Sequence, residues 1–247
     1  MAGNLVISQI NGGPIGVINA IINGNFQVNQ RGVSGTVTLA AGAYGHDRWK
    51  AGASGCTYTF ATVNNVTTLT ITAGSLIQVI EGLNLYSGTY ALSWSGTAQG
   101  KIGAGSYSGS GVTGSVTGGT NLNIEFNTGT LSLVQFEPGT EVSPFERRDY
   151  GRELMMCQRY YWKGSISNGV AYLYGNSADG FGPTCSFPVT MRDNPSSASI
   201  VGAPVYDNCT SFDLTFNKDG LTHRLNSTGG PKAYRAYGGT YAASAEL

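Results

Sequence analysis

Residues 57–73 read TYTFATVNNVTTLTITA. The run is built from Thr, Val, Tyr, Phe and Ile, whose branched or aromatic side chains fit a pleated surface, with the period-two alternation of a half-buried strand. The same signature extends outward in both directions. VSGTVTLA (33–40) precedes it, and LIQVIEGLN (76–84) and GTYALSWSGTAQGKIG (88–103) follow. TNLNIEFNTGTLSLVQFEPG (120–139) reads as two more strands about a turn at Asn127, Thr128 and Gly129. Between them, SYSGSGVTGSVTGG (106–119) is a low-complexity stretch, read either as a hairpin with a mobile tip or as a surface loop. Roughly eight strands by residue 137 is the spacing of a sandwich or jelly roll.

Composition agrees. The 247 residues are 40% hydrophobic, enough for a real core, yet only 11% are charged, against about 25% in an average domain. The 37 glycines follow no three-residue period, which excludes collagen. Net charge is zero and no Lys/Arg stripe occurs, so a sequence-independent nucleic-acid binder is not expected. The apolar lead LVISQINGGPIGVINAII (5–22) is broken by Gln9, Asn11, Gly12, Gly13 and Pro14, and no basic segment precedes it. It reads as neither a signal peptide nor a membrane span, and the expectation is synthesis in the cytosol without membrane insertion.

One stretch departs from this pattern. Within FEPGTEVSPFERRDYGRELMMCQRYYW (136–162), about a tenth of the chain, sit roughly a third of its charged side chains. DYGRELMMCQRYYW lacks β-branched residues and reads as a helix, with Leu154, Met155, Gln158 and Tyr161 on one stripe. Strands resume after it: VAYLYGNS (170–177), TCSFPVTM (184–191), SASIVG (197–202), SFDLTFNKDGLTHRLN (211–226), with a turn at Asp219-Gly220, and the C-terminal KAYRAYGGTYAASAEL (232–247). A short charged helix between two β regions is an inter-domain connector. Glu146, Arg147, Arg148, Arg152, Glu153 and Arg159 are therefore candidate hinge and interface residues, paired with one another or across subunits.

Five motifs in this order, INGNFQVNQRG (22–32), YGHDRWKAG (44–52), QVIEGLNLYSGTYALSWSG (78–96), LVQFEPGTEVSPFERRDYGRELMMCQRYYW (133–162) and SFPVTMRDNP (186–195), resemble a family of bacteriophage and prophage tail-fibre or receptor-binding tip proteins. The resemblance spans about residues 22–195. It implies an all-β chain: a jelly-roll β-sandwich of the carbohydrate-binding-module type, a short helix and a second, smaller β-sandwich domain. The expected divisions are 1–22 (an arm that attaches to other virion proteins), 23–148, 149–163 and 164–247. It further implies a virion component, commonly a homotrimer, made in the host cytoplasm and contacting a host surface glycan. Carried over by position, Asn23, Gly24 and Phe26 match the opening strand, Asp47, Arg48 and Trp49 the "DRW" element, and Glu81 and Gly82 the approach to an inner strand. Glu137, Pro138 and Gly139 match the end of the last jelly-roll strand. A related group of sugar-binding jelly rolls often has an acidic residue where Asn25 or Gln27 stands, as part of a calcium site. Neither is acidic here, and no cofactor or metal is expected.

For chemistry, sugar binding needs aromatic faces with polar neighbours. The candidates are Tyr172 and Tyr174, two apart on one strand, with Asn176, Asp179 and Phe181 in the adjoining Gly-rich loop, and Tyr234, Tyr237 and Tyr241 near the C-terminus. A catalytic assignment finds little support: His46-Asp47 has no nucleophile elbow beside it, and no two acids form a glycosidase motif. Cys56, Cys157, Cys185 and Cys209 lie far apart, with neither a CxxC pair nor metal-ligand spacing to His46 or His223, and read as free thiols. The expected function is non-enzymatic host attachment. The alternatives are a purely structural tail or head-fibre protein and a small polysaccharide depolymerase.

Overall fold

In the computed structural model, backbone is described for residues 19–165, 169–173, 184–201, 205–207, 209–227, 232–237 and 240–247. Side chains are described for 19–165, 184–200, 213–222 and 240–247. The fold is all-β with one short α-helix among the described residues.

The decisive run forms a long hairpin. β1 is Val37–Leu39, β2 Trp49–Val63 and β3 Val66–Ile80. The hairpin turns on Asn64 and Asn65, with φ of 51° and 60°. Positive φ at both central residues is the type I′ pattern of a two-residue loop, and Asn tolerates that conformation best after Gly. Midway, the ladder is broken by a bulge where Gly55 and Gly74 both take positive φ. A Cβ on Gly74 would lie 2.0 Å from the Gly55 carbonyl oxygen, so no side chain fits there.

The remaining strands of this half are β4 Gly88–Ser95, β5 Gly100–Ile102, β6 Val112–Val116, β7 Leu122–Phe126 and β8 Gly129–Pro138. The path runs β1-β2-β3-β8-β4-β6, with β7 pairing both β3 and β5. The low-complexity stretch is neither a loop nor a free hairpin: its centre is β6, paired with β4 from Gly88↔Val116 to Leu92↔Val112. Asn127-Thr128-Gly129 is not a reversal. β7 pairs with residues 76–80 of β3 and β8 with 69–71, in the same direction along one edge, so the turn only carries the chain past the bulge.

β8 then changes sheet. Gly129–Leu131 pair with β3, whereas Ser132–Pro138 pair with β4. The crossing is at Leu133, with φ 51°, beside a register shift in β4. Bulged strands turn sandwich corners in this way. The core fills the space between: Trp94 of β4 meets Phe126 of β7 edge-on at 5.1 Å, Phe126 lies 6.0 Å from Trp49, and Tyr90 stacks on Phe136 at 4.8 Å.

The segment expected as an opening strand is a turn instead. Asn23 and Phe26 have positive φ, and the Phe26 amide donates to the Asn23 carbonyl. Gly24 sits against β8, where a Cβ would lie 2.2 Å from the Val134 carbonyl oxygen. Ile21 belongs to the sandwich core and Ile22 to a cluster with Cys157 and Tyr160. Residues 19–22 are thus part of the folded body, and the rest of the expected arm lies outside the described residues.

Helix α1 covers Tyr150–Gln158, and strand structure begins at Tyr161, earlier than the expected connector end. Three three-stranded sheets follow among the described residues. Their strands are β9 Tyr161–Ser165, β10 Gly169–Leu173, β11 Thr184–Ser186, β12 Ser197–Val201, β13 Val205–Asp207, β14 Cys209–Asn217, β15 Gly220–Ser227, β16 Lys232–Tyr237 and β17 Thr240–Ser244. They pair as β10-β16-β13, β11-β15-β14 and β12-β17-β9. The β14–β15 turn is Lys218-Asp219, one residue before the expected pair, with Asn217 Oδ1 accepting from the Asp219 and Gly220 amides. A second core gathers Trp162, Phe187, Met191, Leu221, Tyr241 and Ala243.

Candidate functional site

The charged stretch forms one wall of a seam between the sandwich and the C-terminal sheets. Asp149 caps α1, its carboxylate accepting from the Arg152 amide at 3.0 Å. The helix buries Glu153 and Cys157, one turn apart, with Leu154 and Met156 partly covered. This corrects the expected stripe, since Met155 is 51% exposed. The buried face carries a carboxylate, which a hydrophobic period does not reveal.

Glu153 has a specific task. It accepts the Asn23 amide and lies 3.4 Å from Arg148. Arg148 donates to the carbonyls of Ile21, at 2.9 Å, and Asn19, and pairs with Glu146 at 3.2 Å. Glu146 in turn accepts the Asn19 amide at 2.8 Å. Residues 19–23 are thereby fastened to the segment before the helix. Arg159 leaves the helix end to pair with Glu81 at 3.0 Å, and Glu81 also accepts the Tyr160 hydroxyl at 2.9 Å and faces Arg192 at 3.6 Å. Arg147 and Arg152 differ: both are exposed and neither makes an ion pair among the described residues.

The other wall comes from residues far away in sequence. Arg48, 1% exposed, pairs with Glu246, donates to the Val79 carbonyl at 2.6 Å and stacks its guanidinium 3.5 Å from the Tyr160 ring centroid. Arg31 pairs with Glu246 at 3.2 Å and Asp47 at 3.7 Å, and lies over Tyr161. Gln30 ties Asp47 down through its backbone and side-chain nitrogens. Burial pushes Asp47 upward, partly opposed by Arg31 and Gln30. Burial, with Glu246 nearby, pushes Tyr44 up to about 12. Of the eight ion pairs among the described residues, seven lie in this seam.

His46 is structural. Its backbone amide donates to the Tyr58 hydroxyl, whose oxygen lies 2.9 Å from Nδ1, and burial lowers its pKa to about 4. Cys56, Cys157 and Cys185 are free thiols, and burial raises all three.

The tyrosine candidates divide. Tyr174, Asn176, Asp179 and Phe181 lie outside the described residues. Backbone register places Tyr172 opposite Ala233, Tyr234 opposite Ala171 and Tyr237 opposite Val205, so one sheet carries all three positions. Tyr241 is a correction. It lies on β17, the central strand of its sheet, and is 4% exposed in the second core, so it offers no face to a sugar.

Two features escaped the sequence reading. The first is a polar cluster outside the core: Glu125 accepts Ser75 Oγ at 2.6 Å and Lys101 Nζ at 2.9 Å, with Lys101 4.8 Å from the Tyr107 ring centroid. Burial alone would raise Glu125, but Ser75, Lys101 and Tyr107 outweigh it and hold the carboxyl below its ordinary value. The second is a neutral groove of about 410 Å³ where β5 and β6 meet, lined by Ile102, Ser115, Val116, Thr117, Thr120 and Leu122 with the intervening glycines. Beside it, the loop after β3 exposes Leu83 (83%) and Tyr86 (70%). The available signal was a tyrosine in a Gly/Ser loop between strands, where nothing in the pattern requires an aromatic ring.

Among the described residues, no helix is long and apolar enough to cross a membrane, and no His/Cys/Asp/Glu group is placed to hold a metal. Comparison with protein-family models, curated proteins and solved structures finds no match to this chain.

Proposed function

We propose that this chain is a non-enzymatic attachment protein of a phage-type fibre, binding a neutral glycan on a host surface, with three copies acting together. The observation that carries the reading is where the charges go. Among the described residues, seven of the eight ion pairs are drawn into the seam, and the groove where β5 and β6 meet is lined by hydroxyls, glycines and apolar side chains without a charge, next to a turn that exposes the Tyr86 ring. Neutral sugars are recognised by that chemistry: ring faces for C–H groups and fixed hydroxyls for the rim. Each contact of this kind is weak, and a trimer raises avidity through effective concentration without new contacts. The test is a glycan array probed with the purified chain, together with its solution mass by light scattering. Binding to a set of neutral glycans by a species near three times 25.8 kDa supports the reading. A chain that binds none of them does not attach by this route.

A second reading, a connector that binds other virion proteins, is favoured by the outer face of α1. Tyr150 and Met155 are exposed on the helix, with Arg147 just before it and Arg152 in its first turn also exposed. Aromatic, Met and Arg side chains are enriched in protein contacts. Under this reading, Met155→Asp lowers the oligomer mass or abolishes incorporation into particles, with glycan binding absent from the start.

A further inference from the structure

We infer that the groove where β5 meets β6 is the saccharide subsite of this protein, and that Tyr86, exposed on the turn hydrogen-bonded to its 117–121 wall, is the stacking residue. This rests on the attachment reading above. It places the contact on the sandwich, away from the C-terminal tyrosines.

Concavity comes first. At about 410 Å³ the groove falls within the range of small-ligand sites, enough for about one or two pyranose rings. Its lining is amphiphilic in the way a pyranose is. Ile102, Val116 and Leu122 present apolar surface, whereas Ser115, Thr117 and Thr120 present hydroxyls that both donate and accept. No charged side chain lines it, so desolvating a neutral ligand there strands no ion, while an anionic sugar would find no cation to pair with. The ligand class is therefore a neutral saccharide.

Glycines keep the groove open. A Cβ at Gly114 would lie 3.2 Å from Ile102 Cδ1, and one at Gly103 would lie 3.1 Å from Leu122 Cδ1. A methyl at either place crowds the apolar part of the lining, and larger groups fill it.

The rim is rigid. The Gly118 amide donates to Ser87 Oγ at 3.0 Å, the Gly119 amide to the Gly82 carbonyl at 3.2 Å, and the Gly82 amide to Asn121 Oδ1 at 2.8 Å. These bonds bolt the 117–121 wall to the turn carrying Leu83 and Tyr86, and the Tyr86 amide is itself held by the Tyr90 hydroxyl at 3.2 Å. An exposed ring on a fixed backbone loses little freedom when a ligand stacks on it.

The test compares the full chain with Tyr86→Ala, Thr117→Ala and Gly114→Val on an array of neutral and anionic glycans, with affinities for the strongest binder measured by titration calorimetry. Thermal melts run alongside. The expected result is neutral-glycan binding by the wild type and a loss of about tenfold or more for each variant, with Tyr86→Ala melting like the wild type because its ring is exposed. If Gly114→Val does not fold, the other two variants decide the matter. Wild-type binding that survives Tyr86→Ala and Thr117→Ala overturns the subsite while leaving the attachment reading standing. Binding confined to anionic glycans also overturns the subsite. A wild type that binds nothing overturns both.

Discussion

Arg48 and Glu246 meet as a buried ion pair although 198 positions separate them in the chain. The Arg48 guanidinium is closed on one side by the Tyr160 ring, and its Nε has no hydrogen-bond partner. A buried pair with an unmet donor fixes geometry more than it adds stability, because desolvation consumes much of the Coulombic gain.

Removing one member of this pair is therefore costly. Glu246→Gln leaves the Arg48 charge buried and unpaired, an expected loss of about 3–5 kcal/mol, or about 10 °C in melting temperature for a chain of this size. Arg48→Met combined with Glu246→Gln should recover much of that loss. Calorimetric melts of the two single variants and the double variant measure the coupling. Additive losses would show that the pair does not act as a unit.

The two adjacent arginines of the connector should behave differently. Arg148→Ala deletes donors to the Asn19 and Ile21 carbonyls and leaves Glu153 without its cation, an expected cost of about 3 kcal/mol. Arg147→Ala touches an exposed side chain without an ion pair and should stay within about 0.5 kcal/mol of wild type. Urea titration separates them, and equal midpoints would contradict the placement of Arg148.

Acid should weaken the sandwich through His46. Burial lowers its folded pKa from 6.5 to about 4. The unfolded chain thus binds a proton that the folded chain refuses. The associated stability is present above about pH 6.5 and is lost as pH falls toward 4, at most about 3 kcal/mol. Asp47 works the other way: its raised folded pKa favours the folded state as that carboxyl takes up its proton. His46→Phe, beside Phe60 and Phe26, should flatten the slope between pH 6.5 and 4 in a series of urea melts. A slope that persists in the variant assigns it to another group.

Tyr241→Ala tests the second core. Deleting a buried aromatic leaves a cavity, with an expected cost of about 3–5 kcal/mol. The melting transition should fall accordingly, independent of any ligand. A variant that keeps the wild-type melt but loses glycan binding would restore Tyr241 as a contact residue.

How much of this was legible depended on distance along the chain. Strands announced themselves through alternation, as in 57–73, and α1 through its lack of β-branched residues. The helix ends at Gln158, and the rings that follow pack elsewhere: Tyr160 in the turn against Arg48, and Tyr161 and Trp162 in β9 against Arg31 and Phe187. Asn127-Thr128-Gly129 read as a reversal because turn residues do not say which strand edge the chain follows afterwards. Nor does adjacency in sequence say where charges go: Asp47 and Arg48 share a turn, with Arg48 at φ 72°, yet pair with different partners, Arg31 and Glu246. The charged stretch was legible as a seam, but only half of it, since the other wall arrives from residues 30–48, 81, 192 and 246. The groove was not legible at all. It depends on which strand edges meet, and β6 is made of residues whose composition reads as a loop.

The seam also sets a mechanical path. Ile22 packs in one cluster with Cys157 and Tyr160, and Leu247 lies against that cluster while its carbonyl oxygen accepts from Tyr44 and, at 2.7 Å, Lys50. The first described segment and residue 247 are therefore anchored within one small region. Tension applied between them would load the seam directly, through Cys157 and Tyr160 on one side and Tyr44 and Lys50 on the other.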